Sequence, residues 1–198
     1  MHPSLGGLSK RDLVSILETI EFARSSSGHA HVKDLILRVK DILEADFAVC
    51  GLGKVHPEGP SDIITVINGN YPGEWLDNYL KEGFYRSDPL VRYHMSFSTP
   101  QSWGEIFKGF EDPETRRLIG MAWDFGIRHG VSTGIYIPDG ERFSLFCFGG
   151  RKDVYGERHK KIMDSLTLYL NKALFKAAPG IGIKPDGGRP GRPGRPVQ

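Results

Sequence analysis

Five side chains between positions 71 and 103 have the residue types and the spacing of a pocket for a small polar group. Large rings that each carry one polar atom stand close in sequence to one acid and two prolines: Tyr71-Pro72, Trp75, Tyr79, Asp88-Pro89 and Trp103. A buried tyrosine hydroxyl, indole N–H or carboxylate needs a hydrogen-bond partner. This set therefore suits a closed cavity that is apolar in bulk and orients a small polar headgroup.

Two simpler interpretations compete with a pocket. Trp75 and Tyr79 are four residues apart and would share one face of a helix, and an aromatic stripe at that spacing is usually part of the hydrophobic core. Asp88 followed by Pro89 is also the pattern of a helix N-cap with proline at the first helical position. These residues alone do not distinguish a ligand pocket from a part of the hydrophobic core. The choice depends on the helices and strands that position them.

Hydrophobic periodicity predicts five helices and four strands in this sequence. Ser9 with Asp12 three residues later is a helix N-cap signal, Gly83 is a helix stop, and Asp112 begins another helix. The predicted helices are about 9–24, 32–43, 72–82, 112–126 and 156–177, and the predicted strands are 46–55, 63–67, 131–137 and 142–148.

The connection between the last two predicted strands indicates the fold class. Asp139-Gly140 tolerates the positive φ angles of a tight turn, so the strands 131–137 and 142–148 should form a hairpin. Strands joined in this way favour an antiparallel sheet covered by helices, rather than alternating parallel units. We therefore expect an α+β fold.

Composition is that of an ordinary globular domain. The chain has 198 residues, of which 39% are hydrophobic and 25% charged, enough for one domain with a sizeable core. No apolar window long enough for a membrane span occurs, and residues 1–7 lack the pattern of a secretory signal. Cys50 and Cys147 each lie in a strand-like apolar run, so we expect two buried, reduced thiols in a cytoplasmic protein.

Basic residues gather at the C-terminal end of the chain. Residues 184–198 contain four of the 26 Lys and Arg residues and one of the 24 Asp and Glu residues, which leaves the remainder at a net charge of −1. Such a body has no electrostatic footprint for nucleic acid. Gly-Arg-Pro is repeated three times over 188–196, a composition that cannot form a core. We expect one domain over 1–178 and a disordered tail over 179–198, which is either a solvated linker or a contact for nucleic acid or an acidic partner.

The order of the ring and acid residues resembles the autoinducer-binding domain of the LuxR-type quorum-sensing regulators. The string Tyr71-Pro72-x-x-Trp75-x-x-x-Tyr79 is followed by Asp88-Pro89 and then by Trp103. The run from Gly126 to Val131, a hairpin turn and a strand that contains Ser144 extend the similarity. The resemblance covers about residues 10–178, nearly the whole predicted domain.

The resemblance implies a fold and a ligand. The fold would be an α-β-α sandwich with a five-stranded antiparallel sheet, whose fifth strand would come from the region around Phe97-Ser98-Thr99. The ligand would be an N-acyl homoserine lactone, buried between the sheet and one helical layer. The resemblance implies no cofactor and no metal.

The resemblance also assigns a role to each ligand-binding residue. Trp75 would donate its indole N–H to the lactone carbonyl. Asp88 would accept the amide N–H of the ligand, and Tyr71 would donate its hydroxyl to the amide carbonyl. The remaining contacts, with the lactone ring, the acyl chain and one further polar group, are assigned to Trp103, Tyr79 and Ser144.

Partners follow from the same resemblance. Regulators of this family dimerise and continue into a helix-turn-helix that reads DNA, and the pattern after Ala178 does not predict one. We expect a sensor domain that acts in quorum-sensing transcriptional regulation without its own DNA-binding half, contacts neither nucleic acid nor membrane, and forms a homodimer or a heterodimer with a full-length relative. The alternative is a protein–protein regulator that pairs with such a relative and inhibits it.

Enzymatic patterns are weak in this sequence. His29-Ala-His31 has the first two histidines of a metal motif, but no further ligand follows at the required spacing. No Gly-x-Ser-x-Gly nucleophile turn occurs, and Gly51-Leu52-Gly53 lacks the remaining residues of a phosphate-binding loop. We expect the protein not to be an enzyme.

Overall fold

The computed structural model describes residues 6–25, 28–56, 59–137 and 141–178. The tail 179–198, whose disorder stays a prediction, and the turn residues 138–140 lie outside these ranges. The helices are α1 (Lys10–Arg24), α2 (Gly28–Ile42), α3 (Gly73–Lys81), α4 (Pro89–His94), α5 (Trp103–Phe107), α6 (Pro113–Asp124) and α7 (Glu157–Ala177), with a 3-10 turn at Phe84–Arg86. The strands are β1 (Phe47–His56), β2 (Gly59–Asn68), β3 (Gln101–Ser102), β4 (His129–Ile137) and β5 (Arg142–Gly150).

All five strands belong to one antiparallel sheet with the order β2-β1-β5-β4-β3. Helices α1, α2 and α7 contribute to the hydrophobic core on one face of the sheet. Helices α3 to α6 contribute to a second core on the other face. The predicted α+β fold, an α-β-α sandwich with a five-stranded antiparallel sheet, is confirmed.

Helix α1 is fixed to α7 by an ion pair that joins distant parts of the sequence. The predicted cap is present: Asp12 N donates to Ser9 Oγ at 3.1 Å, and Ser9 N donates to Asp12 Oδ2 at 2.9 Å. Arg158 Nη2, at the start of α7, donates to Asp12 Oδ1 at 2.6 Å. This guanidinium, together with Ser9, outweighs the effect of burial and lowers the pKa of Asp12 to about 2.

The fifth strand differs from the prediction. It lies at Gln101–Ser102, opposite Ser132 and Val131 of β4, and not around Phe97. The chain is still turning at Phe97, whose N–H donates to Tyr93 O at 3.0 Å at the end of α4. A two-residue edge strand has almost no periodicity of its own, so only its pairing with β4 identifies it.

The elements that carry the predicted pocket residues form where local signals place them. The sequence predicted Pro72 as the first residue of helix α3. In the structure α3 begins at Gly73, and Pro72 is its N-cap residue. It ends before Gly83, whose φ of 68° lies in the left-handed region that glycine adopts at low cost. No helix in the described part of the chain combines the length and the apolar run needed to cross a bilayer.

Candidate functional site

A cavity of about 170 Å³ lies between the sheet and the layer formed by α3 to α6. Five of the six predicted ligand-binding residues line it: Tyr71, Trp75, Tyr79, Asp88 and Trp103. Most other lining side chains are apolar, among them Val49, Val66, Leu76, Leu80, Leu90, Phe107, Leu118, Ile119, Ala122, Ile127, Leu145 and Cys147. Five of the residues that the sequence singled out therefore line one cavity, together with the polar residues Lys54, Asp62 and Tyr85, which it did not single out.

Asp88 is at once a helix cap and a wall of the cavity. Its Oδ1 accepts the backbone N–H of Leu90 at 2.8 Å, which caps α4. Its Oδ2 accepts the hydroxyl of Tyr79 at 2.7 Å. Burial raises the pKa of this carboxyl group, and the hydrogen bonds from Tyr79, Leu90 and Val91 oppose that rise. The two interpretations of Asp88 that the sequence left open both apply.

Trp75 and Tyr79 share one face of α3 and are both core and cavity wall. The Trp75 ring packs against Tyr79, Phe84 and Phe125 with centroid distances of 5.9, 6.4 and 5.9 Å. Trp75 thus packs against Tyr79, whose hydroxyl bonds Asp88 directly. The aromatic stripe thus positions polar atoms in addition to filling space.

Tyr71 is held at the start of α3 by Asn68. The backbone N–H of Tyr71 donates to Asn68 Oδ1 at 2.7 Å, and Asn68 Nδ2 donates to the Tyr71 carbonyl at 3.0 Å. Its ring packs on Phe47 of β1 at 5.7 Å. Burial, with Cys147 and Asp88 nearby, raises the pKa of Tyr71 well above its ordinary value. The hydroxyl is therefore a neutral donor throughout the physiological range.

Trp103 lies flat on two glycines of the sheet. Gly130 of β4 and Gly149 of β5 are direct cross-strand partners. A Cβ atom on either glycine would come within 2.6 Å of the indole ring. The absence of side chains at this one pair lets the ring of the first residue of α5 lie against the backbone.

The structure does not bring Ser144 to the cavity. Successive residues of a strand point to opposite faces, and Phe146 and Phe148 of β5 belong to the core with α2 and α7. Ser144 shares that face: its hydroxyl donates to Asn171 Oδ1 of α7 and accepts the N–H of Ile135 at 3.2 Å. We therefore exclude Ser144 from the proposed ligand contacts.

Cys147 is a cavity residue that the sequence indicated only as a buried thiol. Its side chain points to the opposite face of the sheet from Phe146 and belongs to the same core as Trp75, Trp103 and Leu145. Burial and the nearby Asp88 raise its pKa well above the ordinary value, so the thiol is neutral at physiological pH. The alternation of side chains along β5 was the signal that could have placed it, because Cys147 lies between Phe146 and Phe148 and points to the opposite face from both.

The described residues contain no group of three or more His, Cys, Asp or Glu side chains that could hold a metal ion. His29 Nε2 lies 3.1 Å from Thr65 Oγ1, and His31 Nε2 lies 2.9 Å from the Phe22 carbonyl. Both histidines have structural partners. Cys50 and Cys147 are free and buried, as expected.

Comparison with known proteins gives consistent results. The family model described as "Autoinducer binding domain" matches residues 28–174. The quorum sensing-dependent regulator RpaR of Rhodopseudomonas palustris is 30% identical over 112 residues, which is 56% of this chain and 45% of RpaR. This chain spans about half the length of the curated relatives it matches, as it does for VanR of Vibrio anguillarum, of which the match covers 55%.

Solved structures agree in fold. The LuxR family factor CepR2 from Burkholderia cenocepacia superposes with a TM-score of 0.64 at 22% identity, covering 82% of this chain and 92% of that chain. SdiA from Escherichia coli gives 0.67 at 18% identity, covering 88% and 72%. The family model covers most of the chain, and the sandwich and cavity agree with it: the chain belongs to the autoinducer binding domain family of LuxR-type regulators.

Proposed function

We propose that this domain is a sensor that buries an N-acyl homoserine lactone in the cavity between the sheet and α3 to α6, and that it acts in quorum-sensing transcriptional regulation. The observation that carries the proposal is Asp88, an acid oriented by hydrogen bonds in the wall of a cavity whose lining is mostly apolar. CepR2, which shares this fold, is an N-acylhomoserine lactone dependent transcription factor, and this supports the same ligand class.

The amide of the ligand matches the polar groups of the cavity. A carboxylate offers about four lone-pair positions, and Asp88 uses one on Tyr79 and at least one on the backbone of α4. The ligand N–H takes a free position on this acid. Tyr71, a neutral donor in the same cavity, bonds the amide carbonyl.

The lactone ring lies between the two indoles. Trp75 donates to the ring carbonyl, and Trp103 packs on the ring. Both side chains are almost fully buried, at 5% and 3% exposure, so the ring enters a dry environment. In such a site each polar atom of the ligand needs a partner, which makes the headgroup contacts specific.

The acyl chain follows the apolar walls formed by α3, α6 and the cavity face of β1 and β2. Leu76 and Leu80 of α3 and Ile119 and Ala122 of α6 belong to this lining. Each buried methylene contributes about 0.8 kcal/mol. Tyr79 lines the same channel, and its hydroxyl holds Asp88.

Dimerisation and pairing with a full-length relative stay predictions. Large apolar side chains are exposed on the two helices that pack together on the far side of the sheet: Val14 and Leu17 of α1, and Leu168 of α7. Size-exclusion chromatography with light scattering, with and without lactone, measures the oligomeric state directly.

The test is ligand retention. The chain is produced with a panel of acyl homoserine lactones that differ in acyl length, extracted with organic solvent, and analysed by mass spectrometry. One or more panel members should co-purify in stoichiometric amount. Saturating ligand should raise the free energy of unfolding by about 4 kcal/mol at a thousandfold excess over Kd.

Two matched variants sharpen this test. Asp88→Asn should lose most retained lactone, because an amide has less acceptor capacity and no charge. Asp77→Asn alters an exposed acid of α3 and should leave retention unchanged. If no lactone is retained by the unaltered chain, or if both variants behave alike, the proposal is wrong.

A further inference from the structure

The indole N–H of Trp103 is the one buried side-chain nitrogen or oxygen in the described part of the chain that has no hydrogen-bond partner. Trp103 is 3% exposed and lines the cavity. Buried polar groups in native proteins are almost always bonded, and leaving a donor unpaired costs stability. This N–H is therefore a position where an acceptor is expected.

The ring cannot easily turn to find another partner. It rests on the paired glycines Gly130 and Gly149, where a Cβ atom would come within 2.6 Å of its benzo ring. The backbone just before it is fixed as well, because Ser102 pairs with Val131 in the sheet. The geometry thus holds the indole, with its N–H, in one orientation beside the cavity.

The other polar side chains of the headgroup region do not serve this donor. The oxygens of Asp88 accept from Tyr79 and Leu90 but do not accept from the Trp103 N–H. Cys147, which packs in the same cluster as Trp103, offers only a weak thiol acceptor. A ligand in this cavity can supply the acceptor that the described side chains do not.

We infer that the Trp103 N–H donates a hydrogen bond to an ester oxygen of the bound lactone ring, so that Trp103 selects headgroups that carry an acceptor at that point. Because the N–H lies in the plane of the indole, the ester oxygen meets the N–H edge of Trp103, and this contact goes beyond apolar packing on the ring. The inference rests on the proposed function, because it specifies a contact made by the same ligand. An ester offers two oxygens, so Trp75 and Trp103 can both be satisfied.

The test compares two ligands that differ only in the ring oxygens. N-hexanoyl-homoserine lactone and N-hexanoyl-cyclopentylamine are titrated against the full chain, or the equivalent pair with the acyl length that the retention panel selects. The ratio of the two Kd values measures the preference for ring oxygens. This preference should fall about tenfold in Trp103→Phe, the effect of one lost hydrogen bond.

Binding of the cyclopentylamine is the internal control. Loss of indole packing weakens both ligands, whereas loss of the N–H weakens only the lactone. A second variant carries benzothienylalanine at position 103, which keeps the shape of the indole and lacks the N–H. Its preference for the lactone should also fall about tenfold, because the bond from Trp75 remains, while it folds as the unaltered chain does. This variant replaces Trp103→Phe if that variant does not fold.

The outcomes separate the two proposals. If the unaltered chain binds neither ligand of the pair nor any panel member, the proposed function fails. If the unaltered chain prefers the lactone and the benzothienylalanine variant keeps that preference in full, the function stands and the inference about the Trp103 N–H is overturned.

Discussion

The Tyr79 hydroxyl donates a 2.7 Å hydrogen bond to Asp88 Oδ2, and the backbone N–H of Leu90 reaches the other oxygen of the same acid at 2.8 Å. The first bond comes from α3 and the second from α4, the helix that Asp88 caps. The acid is therefore oriented by two different helices. Tyr79, expected from the sequence to line the acyl channel, also orients the acid in the cavity wall.

Replacing Tyr79 tests that bond. Tyr79→Phe removes a donor to a buried carboxylate, and a hydrogen bond to a charged group contributes about 1.5–3 kcal/mol. The free energy of unfolding of the ligand-free protein, measured by urea titration, should fall by this amount. Tyr169→Phe, on α7 across the sheet, is the matched control and should change it little. Equal effects of the two substitutions would contradict the assigned role.

The pH dependence of stability should carry the signature of Asp88. Burial raises its pKa above the unfolded value of 3.8. The folded state then binds more protons, so the contribution of this group is present below pH 3.8 and is lost as the pH rises through the folded-state pKa. The free energy of unfolding of the unaltered chain should therefore fall relative to that of Asp88→Asn as the pH rises above about 4.

The difference in unfolding free energy between the unaltered chain and Asp88→Asn isolates the titration of Asp88 from that of the other groups. Asp12 acts in the opposite direction: its pKa is lowered to about 2, so its contribution is lost only as the pH falls below 3.8. That effect is common to both proteins and cancels in the difference. A difference in unfolding free energy that is constant from pH 4 to pH 8 would show that Asp88 does not titrate as described.

The glycine pair beneath Trp103 predicts a steric penalty. A methyl group at Gly149 would meet the indole ring and the carbonyl of His129. We expect Gly149→Ala to lower the free energy of unfolding by about 1–3 kcal/mol, the usual cost of overpacking. In contrast, Gly120→Ala adds a methyl where no other atom lies within 4 Å on α6, and should stabilise the helix by about 0.5–1 kcal/mol. Thermal unfolding of the two variants measures both effects.

Ser144 now has a structural prediction in place of a ligand contact. Ser144→Ala leaves Asn171 Oδ1 and the N–H of Ile135 without this partner, so the free energy of unfolding should drop by about 1–3 kcal/mol. The Kd for lactone, measured where the variant is folded, should stay unchanged. A selective loss of affinity without loss of stability would restore Ser144 to the site.

The parts of the fold that were predictable are those with local signals. The cap at Ser9 and Asp12, the start at Asp112 and the stop at Gly83 each depend on a few neighbouring residues, and each is present. The polar residues of the cavity were also recognisable, because their types and spacing are contiguous in sequence. Their common location between the sheet and α3 to α6 followed from the family resemblance.

The errors concern contacts between distant residues. Helices cover both faces of the sheet, so residues on both faces of β5 are buried and hydrophobic alternation does not show which face Ser144 takes. The short strand at Gln101 exists only through its pairing with β4. The ion pair between Asp12 and Arg158 joins residues 146 positions apart, and no local pattern announces it.

We expect the helices on the two faces of the sheet to differ in how their amide protons exchange with solvent. Helix α7 packs on a filled core, reinforced by the Asn171 bond to Ser144, so its amide protons should exchange only when the whole domain unfolds. Amides of α3 to α6, which close over the cavity, should exchange through local opening until a ligand completes their packing. A signal molecule would then complete the hydrophobic core on this face of the sheet. Its concentration in solution would set the fraction of time that α3 to α6 stay closed over the cavity.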